Sequence, residues 1–217
     1  MIVLKVDPRR PDPDSIGRAA DAIRAGELVI FPTETVYGLA ADALSEAAVR
    51  RVFEAKGRME DHPLPVQVAG IEQLAGVAAR APASAAILAR RFWPGPLTLV
   101  MQKAVSLSEL VTAGTGKVGV RVPGHPVALA LLRELGTPIV ASSANLTGEP
   151  PARNSEEAIR QVGHYAAVVL DSGESEIGVA STVVDVTVDP PVILRHGAIS
   201  DQRILEALAA VGEREDE

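Results

Sequence analysis

The sequence predicts an α/β domain, a single twisted mixed β-sheet flanked by helices. Three observations carry this. Helix-period and strand-period segments alternate along the whole chain, with no internal repeat at the roughly 20–50-residue period of solenoids. Of the 217 residues 47% are hydrophobic and only 3% aromatic, so the core must be built from Val, Leu, Ile and Ala. Gly and Pro punctuate the periodic segments at lengths suited to short helices and strands, with no Gly/Ser-rich linker between them. Residues 1–212 form the expected domain, and 213–217 an acidic, frayed tail.

Each element has its own signal. Asp14 to Ala25 carries Ile16, Ala19, Ala20 and Ile23 at helical spacing and stops at Gly26. Glu27 to Phe31 is a β-type run ended by Pro32. Ser45 caps a helix with Ala48, Val49, Val52 and Phe53 on its apolar face, closing at Gly57. Pro65 to Ala69 reads as a strand; Ile71 to Ala79 and Pro82 to Phe92 read as helices. Pro94-Gly95-Pro96 introduces a strand at Leu97 to Met101, and Val118 to Val122 is another. Val127 to Leu135 is a helix ending at Gly136, and Pro138 to Ala141 a strand running into the polar turn Ser142-Ser143-Ala144-Asn145. Ser155 to Val162 is helical. Ala167 to Leu170, Thr182 to Val186 and Val192 to Leu194 are strands, and Ser200 caps a last helix through Leu208.

Composition narrows the chemistry. The absence of Cys removes thiol nucleophiles, thiolate metal sites and disulfides together. The net charge of −7 is the wrong sign for a protein that lives on nucleic-acid phosphates, where cations supply the affinity by releasing counterions. Met1 to Arg10 lacks the pattern of a secretory leader, and no window approaches the ~18 uninterrupted apolar residues of a membrane span. A soluble cytoplasmic protein is the expectation.

Several local patterns lead nowhere. Residues 114–119 spell G-x-G-x-x-G, but a strand follows where a dinucleotide fingerprint needs a helix. As a P-loop the same stretch lacks the first Gly, at Val111, and the Ser or Thr after Lys, at Val118. His62, His125, His164 and His196 have no metal-ligand spacing. Ser142 and Ser143 are not in a nucleophile elbow.

What remains is a scatter of polar segments at element ends: residues 32–38, Lys56-Gly57-Arg58, residues 142–145 and Arg195-His196-Gly197, with Arg121 on a strand between Val120 and Val122. Singly each has a bland reading. Cations at a helix C-terminus complement its dipole, Thr33 and Thr35 satisfy turn backbone, and Arg121 is a paired strand cation or an edge residue.

Taken in order, the segments FPTETVYGL (31–39), AKGR (55–58), FWPGPLTLV (92–100), VGVRVPGHP (118–126), SSANLTGEP (142–150), STVVD (181–185) and LRHG (194–197) resemble the YrdC/TsaC family. The resemblance covers nearly the whole chain and matches the short single-domain members. It implies a YrdC-like sheet with an open concave cleft, and synthesis of threonylcarbamoyl-AMP and pyrophosphate from L-threonine, bicarbonate and ATP. The product serves tRNA threonylcarbamoylation. Lys56, Arg58, Ser143 and Asn145 then form the catalytic signature. Lys56, Arg58, Lys117, Asn145 and Arg195 bind ATP; Thr35, Arg121, Ser143 and Ser181 bind threonine, Arg121 through its carboxylate. Mg²⁺ accompanies ATP, held by phosphates and water rather than by protein side chains. A threonylcarbamoyl transferase complex accepts the product, with weak tRNA binding as a further partner. The chain departs from the family pattern at Met59, His62 and Gln67, where Pro, Asn and His are frequent. Lys117 and Arg153 replace small hydroxyl residues and would add positive charge near the nucleotide. The competing readings are an RNA-binding domain without synthase activity and an enzyme on the same fold with another carbamoyl-adenylate product.

Overall fold

The computed structural model describes residues 1–212; the acidic stretch 213–217, read above as a tail, lies outside them. A short strand that the sequence reading passes over opens the chain, β1 (Ile2–Lys5). Helix α1 (Pro13–Arg24) starts at Asp12, whose carboxylate accepts from Ser15 N at 2.9 Å, with Pro13 in the first turn where its missing N–H is no loss. Strands β2 (Leu28–Phe31) and β3 (Gly38–Asp42) flank the polar bend 32–37. Helix α2 (Glu46–Lys56) is capped by Ser45 Oγ and ends at Gly57, whose φ of 55° is left-handed and favours a residue without Cβ. Strand β4 (Val66–Gln67) has two residues.

The helix expected over 71–79 is not there. Ile71–Gly76 makes a 3₁₀ turn and β5 (Ala78–Arg80) follows it. Six residues between Gly70 and Gly76 are too few to repay α-helix nucleation, and the chain beyond buries Val77 and pairs Ala78 with Lys103. Then come α3 (Ala83–Phe92), β6 (Leu97–Lys103), the one-turn α4 (Glu109–Thr112), β7 (Lys117–Arg121), α5 (Pro126–Leu135) and β8 (Ile139–Ser143). Helix α6 (Ser155–Val162), strands β9 (Ala166–Asp171), β10 (Thr182–Asp185) and β11 (Val192–Arg195), and α7 (Asp201–Gly212) complete the chain. No helix among the described residues is long and apolar enough to cross a membrane.

The strands form one mixed sheet in the order β1-β9-β2-β3-β8-β4-β7-β6-β10-β11, with β5 pairing the far end of β6. Its two halves meet at β4, which pairs antiparallel with β8 and parallel with β7. Alternation along β2 shows how the layers are built. Leu28 and Ile30 point to the face covered by α2, α3, α6 and α7, whereas Val29 and Phe31 point to the face covered by α1 and α5. Fully burying one such aliphatic side chain contributes about 1.5–3 kcal/mol, and both faces have many. With two covered faces, the polar residues collect where strands end.

Candidate functional site

Those ends enclose a cleft of about 450 Å³. Its walls come from the bend 33–38, the segment 63–67, β6, β7, the end of β8, β10 and the end of β11. Of the nine residues singled out in the sequence, seven line it: Thr35, Arg58, Lys117, Arg121, Ser143, Ser181 and Arg195. Four lining side chains are cationic (Arg58, Lys117, Arg121, Arg195) against one carboxylate, Asp185, in a chain of net charge −7. The surplus of acid is elsewhere, and the cleft is locally basic.

Arg121 is the most constrained of the four cations. It lies in the interior of the sheet, with Nε donating to Gly95 O at 3.1 Å and Nη1 to Thr35 Oγ1 at 3.0 Å. Thr33 Oγ1 donates to Val36 O at 2.6 Å, so across the 2.8 Å contact between the two hydroxyls Thr35 must be the donor. One directed chain results, from guanidinium to Thr35 to Thr33 to the backbone. The bland reading of Thr33 as a turn residue is thus correct, and it is also what orients Thr35. The Glu34 carboxylate is 2.7 Å from Arg121 Nη2, yet neither makes an aligned hydrogen bond, so the pair is ionic and Nη2 keeps a donor unspent.

On the opposite wall Arg195 grips the start of β10. Its Nη2 donates to Ser181 O at 2.9 Å and Oγ at 3.0 Å, and its Nε to Ser181 O at 3.1 Å. Ser181 Oγ also meets Thr98 Oγ1 at 2.9 Å. Burial lowers the Arg195 pKa, and the Arg121 charge lowers it further, so the two guanidiniums feel one another across the cleft. Lys117 Nζ is 3.0 Å from Asp185 Oδ2, while Asp185 Oδ1 accepts from Thr187 N at 2.8 Å and Oγ1 at 2.6 Å. Burial alone would raise the Asp185 pKa, but the Thr187 hydrogen bonds and then Lys117 outweigh it and hold it low. Arg58, half-buried, donates to Pro63 O at 3.1 Å and has its Nε unpartnered; burial lowers its pKa.

Lys56 and Asn145 are placed differently from the sequence expectation. Neither lines the cleft. Lys56 is 2% exposed, with Nζ donating to Ser143 O at 2.5 Å and to Asn145 O at 2.6 Å. Its carbonyl accepts from Thr147 N at 2.9 Å, and Asn145 Nδ2 donates to Leu146 O and Glu149 O. Together they tie the turn after β8 to the end of α2, which positions Ser143 at the cleft. Burial pushes the Lys56 ammonium from the ordinary 10.5 down to about 8, the Arg58 charge adding to it.

Arg153 does not add charge to the cleft. It pairs with Glu174 at 2.9 Å on the surface, over Gly178. His62 is exposed beside Asp61, and Met59 is exposed. Gln67 lines the cleft and is buried. The left-handed Gly114 and Gly116 make the turn into β7, in keeping with the rejection of a phosphate loop there. Glu34, Thr98 and Asp185 went unnoticed in the sequence reading. The available signals were an acid between two threonines in an apolar run, and polar residues inside the strands LTLV and TVVD. Among the described residues no three His, Cys, Asp or Glu side chains are grouped to hold a metal ion.

The Sua5/YciO/YrdC family model, described as telomere recombination, matches residues 21–197. The chain is 46% identical over 193 residues to a threonylcarbamoyl-AMP synthase of Pyrococcus abyssi, covering 89% of this chain and 57% of that protein. It is 47% identical over 190 residues to one of Bacillus subtilis, covering 87% of this chain and 55% of that protein. The chain thus spans little more than half the length of these relatives. A Mycobacterium tuberculosis relative is 45% identical over 201 residues, covering 91% of this chain and 92% of its own. The structure of P. abyssi Sua5 complexed with L-threonine superimposes with a TM-score of 0.93 at 44% identity, over 95% of this chain and 61% of that one. Escherichia coli YciO, at 23% identity and a TM-score of 0.84, shares the fold.

Proposed function

Because the chain belongs to the Sua5/YciO/YrdC family, we propose that its cleft is the active site of an L-threonylcarbamoyladenylate synthase, making threonylcarbamoyl-AMP and pyrophosphate from L-threonine, bicarbonate and ATP. The observation that carries this is Arg121: a buried guanidinium fixed on three sides, with a donor unspent at the cleft. Such a group suits an amino-acid carboxylate. Supporting it, the relative of 44% identity was solved with L-threonine bound.

Bicarbonate and the threonine amine give a carbamate, whose oxygen attacks the α-phosphate of ATP as pyrophosphate leaves. The substrates supply the nucleophile, so the chain's task is to hold anions together and stabilise the charge that spreads over phosphorus and the leaving group. Arg121 takes the threonine carboxylate, with Thr35 and Ser181 offering their remaining lone pairs to its polar groups. Arg58, Lys117 and Arg195 face the nucleotide phosphates, Lys117 exchanging Asp185 for phosphate. Ser143 contacts the adenylate region, and Lys56 and Asn145 contribute through the turn they hold. Mg²⁺ arrives on the nucleotide, ligated by phosphates and water, and neutralises their charge there. Asp185 is already bonded to Lys117 and Thr187, which agrees with an ion carried by the substrate rather than by a protein cage. The product is a reactive mixed anhydride, so a separate transferase complex acting on tRNA must take it up, with direct tRNA contact weak. ATP and tRNA place this work in the cytoplasm.

The test is pyrophosphate release from Mg-ATP with threonine and bicarbonate, each omitted in turn, alongside Arg58→Ala and Ser143→Ala. Release that needs both co-substrates and collapses in Arg58→Ala establishes the reading. Folded protein that releases nothing under any combination overturns it.

A further inference from the structure

One polar group on the cleft wall has no work to do in the free protein. Gln67 is 6% exposed, lines the cleft, and its Oε1 is buried without a hydrogen-bond partner. An amide oxygen in that state is destabilising, and a ligand that bonds the carboxamide recovers the loss. Its position is specific. In the parallel pairing of β4 with β7, Gln67 is the register partner of Arg121, so the two side chains project from adjacent strands, about 4.8 Å apart, on one face. Leu64 and Ala141 lie in the same lining and are apolar.

Arg121 already suits the carboxylate of an amino acid, and the group beside it must read something close to that carboxylate. An ammonium only donates, and a carboxylate only accepts; each fits one end of a carboxamide. A hydroxyl does both, so it bonds Oε1 as donor or Nε2–H as acceptor, whichever end a half-turn of the amide presents. A hydroxyl is also neutral, like the amide, whereas the ionic groups of the ligand have arginines to meet them. A hydroxyl on Cβ of the amino acid is within one strand spacing of its carboxylate.

We propose that Gln67 reads the side-chain hydroxyl of the bound amino acid and makes the cleft selective for a β-hydroxy amino acid over an apolar one of the same shape. This rests on the reading of the cleft as an amino-acid site. A site built to bond a hydroxyl discriminates strongly against the analogue lacking it, because its own polar group is then left unpaired.

The experiment is calorimetric titration of the native protein, Gln67→Met and Gln67→Asn with L-threonine and with L-valine, in which a methyl replaces the hydroxyl. Native protein should bind threonine at least about 100-fold more tightly than valine. In Gln67→Met that ratio should shrink about tenfold or more, through weaker threonine binding with valine unchanged or tighter. Gln67→Asn keeps the polarity of the site if the Met variant fails to fold, and it should lose discrimination because its amide is one methylene short. A ratio unchanged in the variants, or an equal loss for both amino acids, would overturn the assignment, since amine and carboxylate are common to both ligands. Pyrophosphate release by the native protein separates the two levels. If it requires threonine while the ratio survives the substitutions, only the role of Gln67 falls. If no amino acid binds and no pyrophosphate appears, the cleft reading falls with it.

Discussion

Replacing Lys56 by Met should produce a stability loss that grows with pH. At pH 7 two effects oppose. The substitution strands the carbonyls of Ser143 and Asn145, each bonded to Nζ in the native protein, at about 1–3 kcal/mol apiece. It also removes a buried charge. A pKa lowered from 10.5 to about 8 corresponds to roughly 3 kcal/mol of burial cost at about 1.4 kcal/mol per unit. The variant is therefore only modestly less stable at neutral pH. The sign at higher pH follows from linkage. Between pH 8 and 10.5 the unfolded lysine keeps its proton and the folded one has released it, so the unfolded state binds more protons and stability rises with pH. Neutral lysine still has two N–H donors, enough for both carbonyls. Native protein should thus gain about 2 kcal/mol relative to Lys56→Met between pH 7.5 and 9.5. Urea denaturation of both proteins at those two pH values reads the difference directly. A stability gap that stays flat across that range would refute the buried-charge reasoning.

Three further outcomes are expected. Arg121→Met should raise the threonine KM by about 100-fold or more, corresponding to the loss of a buried, hydrogen-bonded charge contact; steady-state pyrophosphate assays measure it. Arg121→Lys should not restore it, because an ammonium cannot bond Gly95 O, Thr35 and a carboxylate in one plane. Gly38→Ala would set a Cβ 2.6 Å from Phe31 Cε1, and should destabilise the protein by about 1–3 kcal/mol in denaturant titration. Burial lowers the His125 pKa below 6.5 although Glu34 and Glu176 oppose it. The unfolded imidazole therefore takes up a proton first, and native stability falls as pH drops from 6.5 through the folded value; His125→Asn, which keeps a cap for Val127 N, should lack that part of the acid slope.

Helix boundaries were the most legible part of the chain, because caps are local. Ser45, Gly57 and Gly136 do in the structure what their residue types predict. Strand β3 was not legible: Gly-Leu-Ala-Ala-Asp has little intrinsic strand preference, and it is extended because β2 and β8 bond it from both sides. The stretch 71–80 has helical periodicity but too short a run between glycines, and tertiary pairing with β6 decided it. At the cleft, seven residue identities could be carried over from the family resemblance, while their partners could not. Lys117 meets Asp185 from 68 positions away and Arg121 meets Thr35 from 86. Such pairings depend on the strand order, which the sequence does not display. For the same reason Lys56 looked like a phosphate ligand, when its partners are carbonyls 87 and 89 positions along.

The two-residue strand β4 has a mechanical meaning. Five strands lie on one side of it and four on the other, and the hydrogen bonds that join the two sets pass through Val66, Gln67 and the residues next to them. A sheet resists bending in proportion to the length of its ladders, so this seam is its most compliant line. The cleft straddles that line, with Ser143 and Thr35 on one side and Lys117, Arg121 and Ser181 on the other. A small change in twist at β4 would alter the spacing between the groups that hold one substrate and those that hold the other, leaving the helix-covered halves intact. The place where the sheet yields most easily is therefore the place where two reactants would have to be pressed together.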